Sequence, residues 1–331
     1  MSDIFTIAEM ACSHEGDLNL AKQIIDAAAI AKADAIQLQI WSLPYMISPQ
    51  RKEYKLLQRI EFSQDEWRDL VDYSRTNHSN MQIYVCVYEH STIEFIDSLG
   101  VDGYKLNSSD LSNPLVLDKV AKTGKPINLS VGASTISEIK SAIYRLREIS
   151  KAKISLMYGH QSFPTRPENV NMSYMKKLGS LFELPIGYQD HSDADTSSAF
   201  WLPAASIGMG ASILEKHITH DRSLKGVDYE SALNPDEFID FVKMVRTIDK
   251  AKGSSVPRDF STDEEKYREF QKKSIVVTHD MKKGSLLSEA DLTFMRAENL
   301  GIPPNKIDNV VGKVLKRDIN GFESISDSDI S

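Results

Sequence analysis

The sequence predicts a (β/α)8 TIM barrel followed by a small, mostly β domain, and three observations carry that expectation. Short apolar or β-branched runs alternate with stretches of helical period from residue 3 to about 250. About eight strand–helix pairs fit in those roughly 250 residues, the size of a closed parallel barrel. The 331-residue chain also exceeds what one hydrophobic core usually supports, so a second module is expected. An open doubly wound sheet is the competing architecture. No Gly-rich fingerprint follows the first strand, where Glu9-Met-Ala-Cys-Ser-His-Glu-Gly16 stands instead, and this argues against it.

Taken in order, the first strand is expected at Ile4–Ala8, with Asp17 and Asn19 placed as N-cap residues for a helix over Asn19–Lys32. A second strand, Ala35–Ile40, precedes a helix over Gln64–Thr76. The third strand is Gln82–Val87, followed by a helix over Thr92–Leu99, and the fourth strand is Gly103–Leu106. Pro126–Ser130 reads as the fifth strand, and Thr135-Ile-Ser-Glu138 has the capping-box spacing that opens a helix over Thr135–Ile149. Lys153–Met157, Leu184–Tyr188 and Ser212–Lys216 supply the last three strands, and Pro235–Lys250 the last helix. The barrel is therefore expected over residues 1–252. Gly253-Ser-Ser-Val-Pro-Arg-Asp259 and the charged run Asp263–Glu269 read as a linker, 253–270. Residues 271–331 change texture to short strands broken by turns, at Ser274–Thr278, Lys283-Gly284, Gly301–Pro304, Val311–Val314 and Asn320-Gly321.

The formal net charge is −8, and residues 271–331 are neutral, so the barrel together with the linker carries the whole excess. Clustered positive charge is what nucleic acid and anionic membranes demand, and neither partner is expected. Two cysteines, Cys12 and Cys86, make no disulfide framework and fit a reducing compartment. The first residues lack a basic and apolar leader pattern, and no run approaches the ~20 apolar residues of a membrane span, so a cytoplasmic protein is expected.

Catalytic groups of such barrels stand at the C-terminal ends of strands and in the loops that follow. Here those positions hold Glu9, His14 and Glu15; Gln37 and Gln39; Cys86 and Tyr88; Lys105, Asn107, Ser108 and Asp110; Ser130; His160, Gln161 and Arg166; Asp190 and His191; and Glu215, Lys216 and His217. His191 and His217 close adjacent strands about 4.8 Å apart, so both imidazoles can reach one divalent ion with open positions, or each can be hydrogen-bonded separately. Asp190 is either a partner that orients a ring or a helix N-cap. Lys105 suits an anion clamp or a Schiff base, or else lies against the helix layer. Ser108 and Ser130 would offer hydroxyls to the same anion. Glu9 is a candidate acid/base or hydroxyl-binding carboxylate. Cys86 reads as a small packing side chain rather than a nucleophile.

These motifs resemble the N-acetylneuraminate (sialic acid) synthase family over nearly the whole chain. The resemblance rests on Ile7-Ala-Glu9, His14-Glu-Gly16, Tyr104-Lys-Leu106, Gly124–Ser130, Gly187-Tyr-Gln-Asp-His191, Leu214-Glu-Lys-His217 and Asn234-Pro235. In the tail it rests on Asp280–Gly284, Arg296, Gly301-Ile302 and Val311-Gly312. It implies a (β/α)8 barrel with a C-terminal antifreeze-like (SAF) domain, and condensation of phosphoenolpyruvate with an N-acylated amino-sugar aldehyde to a nonulosonic acid plus phosphate. It further implies that His191 and His217 hold a divalent metal, Mn2+ before Mg2+, since imidazole favours the more borderline ion. Lys105, Ser108 and Ser130 match the family's phosphoenolpyruvate contacts, Glu9 and Asp228 its sugar-binding carboxylates, and Asp110 stands where a glutamate is usual. Arg296 matches an arginine sent into the other protomer's site, which implies a domain-swapped homodimer.

The departures fall on the donor side. Gln37 stands where the family has a second anion-binding lysine, and Cys86, Gln161, Phe163 and Gln189 replace a threonine, an asparagine, a tyrosine and a serine. Arg166 and His160 either restore the missing charge from another loop or are ordinary surface residues. Phosphoenolpyruvate with a rearranged pocket, a different small-acid donor such as pyruvate, a Lys105 Schiff-base aldolase and a non-enzymatic sugar binder are the readings the sequence leaves open. It does not set which amino sugar is used.

Overall fold

The computed structural model describes residues 4–331; Met1, Ser2 and Asp3, the first residues of the expected leaderless start, lie outside them. The chain divides into two compact units, Met1–Gly253 and Ser254–Ser331. In the first, eight parallel strands close into a barrel in chain order: β1 (Phe5–Glu9), β2 (Ala35–Ile40), β3 (Gln82–Val87), β4 (Gly103–Leu106), β5 (Ile127–Ser130), β6 (Ile154–Tyr158), β7 (Ile186–Asp190) and β8 (Ile213–His217). The seventh strand begins two residues later than the sequence suggests. Glu183 is left-handed and ends the preceding helix, and Pro185 uses its carbonyl to accept from Leu156 before the strand proper begins.

The helices are α1 (Leu18–Ile30), α2 (Leu43–Met46), α3 (Tyr54–Ile60), α4 (Gln64–Asn77), α5 (Ile93–Ser98), α6 (Pro114–Lys122), α7 (Ile136–Ile149), α8 (Met172–Phe182), α9 (Ser198–Gly208) and α10 (Pro235–Lys252). Asp17 is the N-cap of α1 and accepts from the backbone of Asn19 and Leu20, while Thr135 and Glu138 close a reciprocal capping box on α7. Alternation along each strand sends residues such as Ile36, Leu38, Val85 and Leu129 outward into the main hydrophobic core beneath the helices. The inward set divides by depth. Ile7, Ala35 and Tyr84, with Phe5 and Ile213, form an apolar layer near the N-terminal end. Above it the inward positions turn polar, and the loops α2–α3 add a second apolar cluster of Cys12, Trp41, Leu43 and Ile60.

The charged run expected as linker forms a helix of its own, α11 (Thr262–Gln271), because Ser261 and Glu264 make another capping box and Arg258 pairs with Glu264 at 2.6 Å. Beyond it, β9 (Ser274–Val277) and β10 (Leu292–Met295) form an antiparallel pair around a separate core that includes Ile275, Val277, Leu287, Val310, Leu315 and Ile325. The rest of this unit is isolated bridges and short turns, the texture the sequence predicts.

Candidate active site

Barrel closure places Glu9 at the centre of the polar layer. It is the last residue of β1, paired in register with Gln37 on one side and His217 on the other. Its side chain is fully buried. Oε1 accepts from the Ala11 backbone at 2.7 Å and from Gln39 Nε2 at 3.2 Å, and Oε2 accepts from Gln37 Nε2. In this arrangement the Gln37 amide turns its nitrogen towards Glu9, and its buried Oε1 is left without a partner. Burial pushes the Glu9 carboxyl up to about 7; Lys105 opposes the shift and Glu215 adds to it.

Lys105 projects from β4 across the interior. Its ammonium lies 2.5 Å from Glu215 Oε1 and 4.0 Å from Glu9 Oε2. Burial works against the charge, but the two carboxylates hold its pKa above the ordinary lysine value. A Schiff base needs a neutral amine, so this setting counts against the aldolase reading and for a fixed cation. Glu215, the ion-pair partner of Lys105, has no role assigned by its sequence context alone. It stands two positions before His217 on β8, and strand alternation alone places both on the same face.

His191 and His217 face each other with ring centroids 5.3 Å apart. The His191 Nδ1 lies 3.1 Å from the His160 carbonyl, which fixes a proton there and leaves Nε2 free as a ligand. The His217 Nδ1 is buried without a partner. Burial, reinforced by Lys105, lowers His191 to about 4. Burial and the His191 ring hold His217 well below its usual value. Both rings are thus neutral at pH 7, the form a metal requires. Among the described residues, no three or more His, Cys, Asp or Glu side chains are placed to share an ion. Two neutral, facing imidazoles, one with an unpartnered ring nitrogen, are the donor chemistry that a divalent cation would take, its other positions left to water or substrate. Phe163, on the loop after β6, lies over His191 at 4.4 Å between centroids.

Asp190 orients neither ring. It accepts from Tyr188 Oη at 3.0 Å and Ser192 Oγ at 2.7 Å, and pairs with Lys216 at 2.6 Å on the outer side of β7 and β8. This buried pair ties together the two strands whose ends carry the histidines. His14 likewise supports the mouth without entering it: it is buried, stacks on Phe62 at 4.4 Å, and accepts from the Gly16 backbone at 3.1 Å. Glu15 accepts from the Val227 backbone, tying the first loop to the one that carries Asp228.

The remaining sequence-derived positions separate into two groups. Ser130 and Gln189 are buried in the barrel and bonded to each other at 3.0 Å; Gly159 makes room for this, since a Cβ there would stand 2.9 Å from Gln189 Cγ. Cys86 is buried on β3 between Gln39 and Lys105, and burial raises its thiol to about 12, an inert packing group. Asn128, beside Lys105 on β5, offers a buried Nδ2 without a partner and was not singled out from sequence. Gln161 lies half-buried at the strand-six loop, within hydrogen-bond distance of the Gly159 carbonyl. Asp228 is half-buried and left-handed, with its carboxyl raised by burial.

The second group sits apart from these bonds. Ser108 is half-buried and within 3.5 Å of its neighbour Asn107. Asp110 is buried, but its oxygens are taken by Asn113 Nδ2 at 2.8 Å and Ser109 Oγ at 3.1 Å, so its carboxylate is committed to its own turn. Arg166 is exposed on its loop, and Arg296 is exposed in the second unit.

A closed (β/α)8 barrel with paired neutral imidazoles and a carboxylate-flanked lysine at one rim defines the class of the protein. Comparison with known proteins then identifies the family. The NeuB family model matches residues 24–257 and a SAF domain model matches residues 272–331. The chain belongs to the NeuB family and carries a C-terminal SAF domain, as the motif resemblance implied. It is 31% identical to an uncharacterized protein of Methanocaldococcus jannaschii, over 95% of this chain and 90% of that one. It is 28% identical to the N,N'-diacetyllegionaminic acid synthase of Legionella pneumophila, over 96% and 91% of the two chains. Human N-acetylneuraminate-9-phosphate synthase is 29% identical over 93% and 88%. Among solved structures, an N-acetylneuraminic acid synthetase of Leptospira borgpetersenii in complex with citrate superposes with a TM-score of 0.74 at 31% identity, covering 80% of this chain and 91% of that one. No helix among the described residues is long and apolar enough to cross a membrane.

Proposed function

We propose that the chain condenses phosphoenolpyruvate with the aldehyde of an N-acylated amino sugar, of the N-acetylmannosamine type, to give a nonulosonic acid. The enol carbon of the donor bonds to the aldehyde carbon, the aldehyde oxygen takes a proton, and one water is consumed as phosphate leaves. The observation that carries this reading is the meeting of Lys105, Glu9, Glu215, His191 and His217 at one end of the barrel in a NeuB-family chain.

His191 and His217 would hold the divalent ion, Mn2+ in preference to Mg2+. Once bound, the ion supplies Lewis-acid polarisation of the sugar aldehyde. Lys105 holds the donor's anionic groups as a point charge, with the Ser130 hydroxyl and the Asn128 amide as neutral donors beside it. Glu9, fixed by Gln37 and Gln39, accepts from a sugar hydroxyl or exchanges a proton at its carboxylate, and Asp228 receives the sugar from the β8 loop. Arg296 of a second copy is proposed to complete the site, in a homodimer.

Phosphate release from phosphoenolpyruvate and N-acetylmannosamine in the presence of Mn2+ tests the reading. Release that depends on both substrates is expected. No release across a panel of acylated and non-acylated sugar aldehydes would overturn it. The donor-side departures, Gln37 foremost, favour another small-acid donor, and running pyruvate in parallel separates the two.

A further inference from the structure

The charges inside this barrel do not balance in favour of an anionic donor. Among the described residues of the barrel unit, the only buried lysines or arginines are Lys105 and Lys216. Lys216 is consumed by Asp190 on the outer face of the strands, 2.6 Å away. Lys105 is shared between Glu215 at 2.5 Å and Glu9 at 4.0 Å, so the interior carries one positive charge against two carboxyls, a net of −1 with both ionised and 0 when Glu9, raised to about 7, holds its proton. Gln37 does not relieve this. One N–H of its amide donates to Glu9, the other is neutral and brings no charge, and its Oε1 is an unpartnered acceptor. Glu215 Oε2 is a second unpartnered acceptor in the same interior. Phosphoenolpyruvate brings a carboxylate and a phosphate, so bare polypeptide would receive a multiply charged anion into a site with no net positive charge. The neutral donors there, Ser130 and Asn128, orient such a ligand but do not offset its charge.

We infer that the anionic donor binds only after a divalent cation has entered at His191 and His217, because Gln37 leaves the polypeptide without the net positive charge to hold it. Metal binding adds two positive charges and makes the interior net positive whether or not Glu9 holds its proton, and the donor site and metal site become a coupled pair. The inference rests on the phosphoenolpyruvate reading above. Linkage requires the coupling to be reciprocal, so phosphoenolpyruvate must tighten Mn2+ by the same factor that Mn2+ tightens phosphoenolpyruvate. A charge change of this size within several ångströms of the ligand corresponds to about 100-fold or more in affinity.

The test is calorimetric titration of phosphoenolpyruvate into the full chain, first freed of metal by chelation and dialysis and then loaded with Mn2+. The free-Mn2+ resonance signal is followed in the reverse experiment. The expected result is donor binding at least about 100-fold weaker without metal, with the same factor recovered for Mn2+ when donor is present. Gln37→Lys, which puts a cation beside Glu9, should restore metal-free donor binding. His217→Ala in Mn2+ should bind donor as weakly as the metal-free chain, which excludes capture of a metal–donor complex from solution and does not depend on how Gln37→Lys folds. Metal-free binding as tight as metal-loaded binding would overturn the inference while leaving the proposed reaction intact. If that tight binding were then lost in Arg166→Gln, the missing charge would belong to Arg166. No binding with or without Mn2+ would instead overturn phosphoenolpyruvate as donor.

Discussion

Every oxygen of Glu9 faces a donor, yet the carboxyl is raised to about 7, because removal from water outweighs the bonds it gains. This has a measurable consequence for stability. A carboxyl whose folded pKa lies above its unfolded value binds its proton more tightly in the native state. Its stabilising effect is therefore complete below the ordinary value of 4.5 and is lost as pH rises to about 7. Glu9→Gln has no proton to lose. Relative to the wild type, the variant should gain roughly 3 kcal/mol as pH rises from 4.5 to 7, and nothing further above that. Urea denaturation of the metal-free chain across this range measures it, with tryptophan fluorescence as probe. Trp41, Trp67 and Trp201 all lie in the barrel unit, so the signal reports that unit alone. A difference that is flat with pH would show that Glu9 is ionised in the native state throughout. At this scale the placement of much of the candidate site was legible. Glu9, Lys105, His191 and His217 all stand at or within one residue of the ends of parallel strands, and closure of the barrel fixes where strand ends point. The contacts that set their chemistry were not legible. That Gln37 spends its amide on Glu9 follows from the β1–β2 register, and that Asp110 is taken by its own turn follows from short-range bonds that no periodicity reveals.

At the scale of elements, the ends of β7 and β8 must be held together if two imidazoles are to share an ion. The buried Lys216–Asp190 pair does this from the side facing away from the site, helped by Tyr188 and Ser192. Removing one partner of a buried pair strands the other charge, at a cost of about 3–5 kcal/mol. Lys216→Met should lose that much in denaturation, and should weaken Mn2+ binding although it touches neither ring. Lys216→Met combined with Asp190→Asn should recover a large part of the stability, because no bare carboxylate remains. If the single variant is as stable as the wild type, the pair is not what fastens the two strands. The strands were readable from sequence because parallel barrel strands are short β-branched runs, and the capping boxes marked helix starts. The inserted helices α2 and α3 were not readable. They are only a turn or two long, and they are stabilised by packing with Trp41 and Ile60 over the mouth rather than by their own pattern.

At the scale of the molecule, the barrel unit carries the imidazoles and carboxylates while the second unit carries Arg296, exposed at the end of β10. The proposal that this arginine serves a neighbouring copy separates cleanly from one in which it serves its own barrel. His217→Ala disables the metal position of the barrel that bears it, and Arg296→Ala removes the guanidinium from the tail that bears it. Each variant alone should be nearly inactive. In a mixed dimer with exchanged tails, the barrel with an intact His217 receives the intact Arg296 of the other protomer, and the second barrel inherits both defects. One site in two is then whole. Random assortment makes about half of the dimers mixed, so an equimolar mixture unfolded and refolded together should recover about a quarter of wild-type activity. If Arg296 acts within its own chain, every site in the mixture carries one defect and activity stays at the level of the single variants. Measuring phosphate release against the mixing ratio distinguishes the two, since only exchanged tails produce a maximum at equal amounts. That maximum would also account for a C-terminal unit with a small core of its own being retained by a barrel whose other proposed ligands all lie within it.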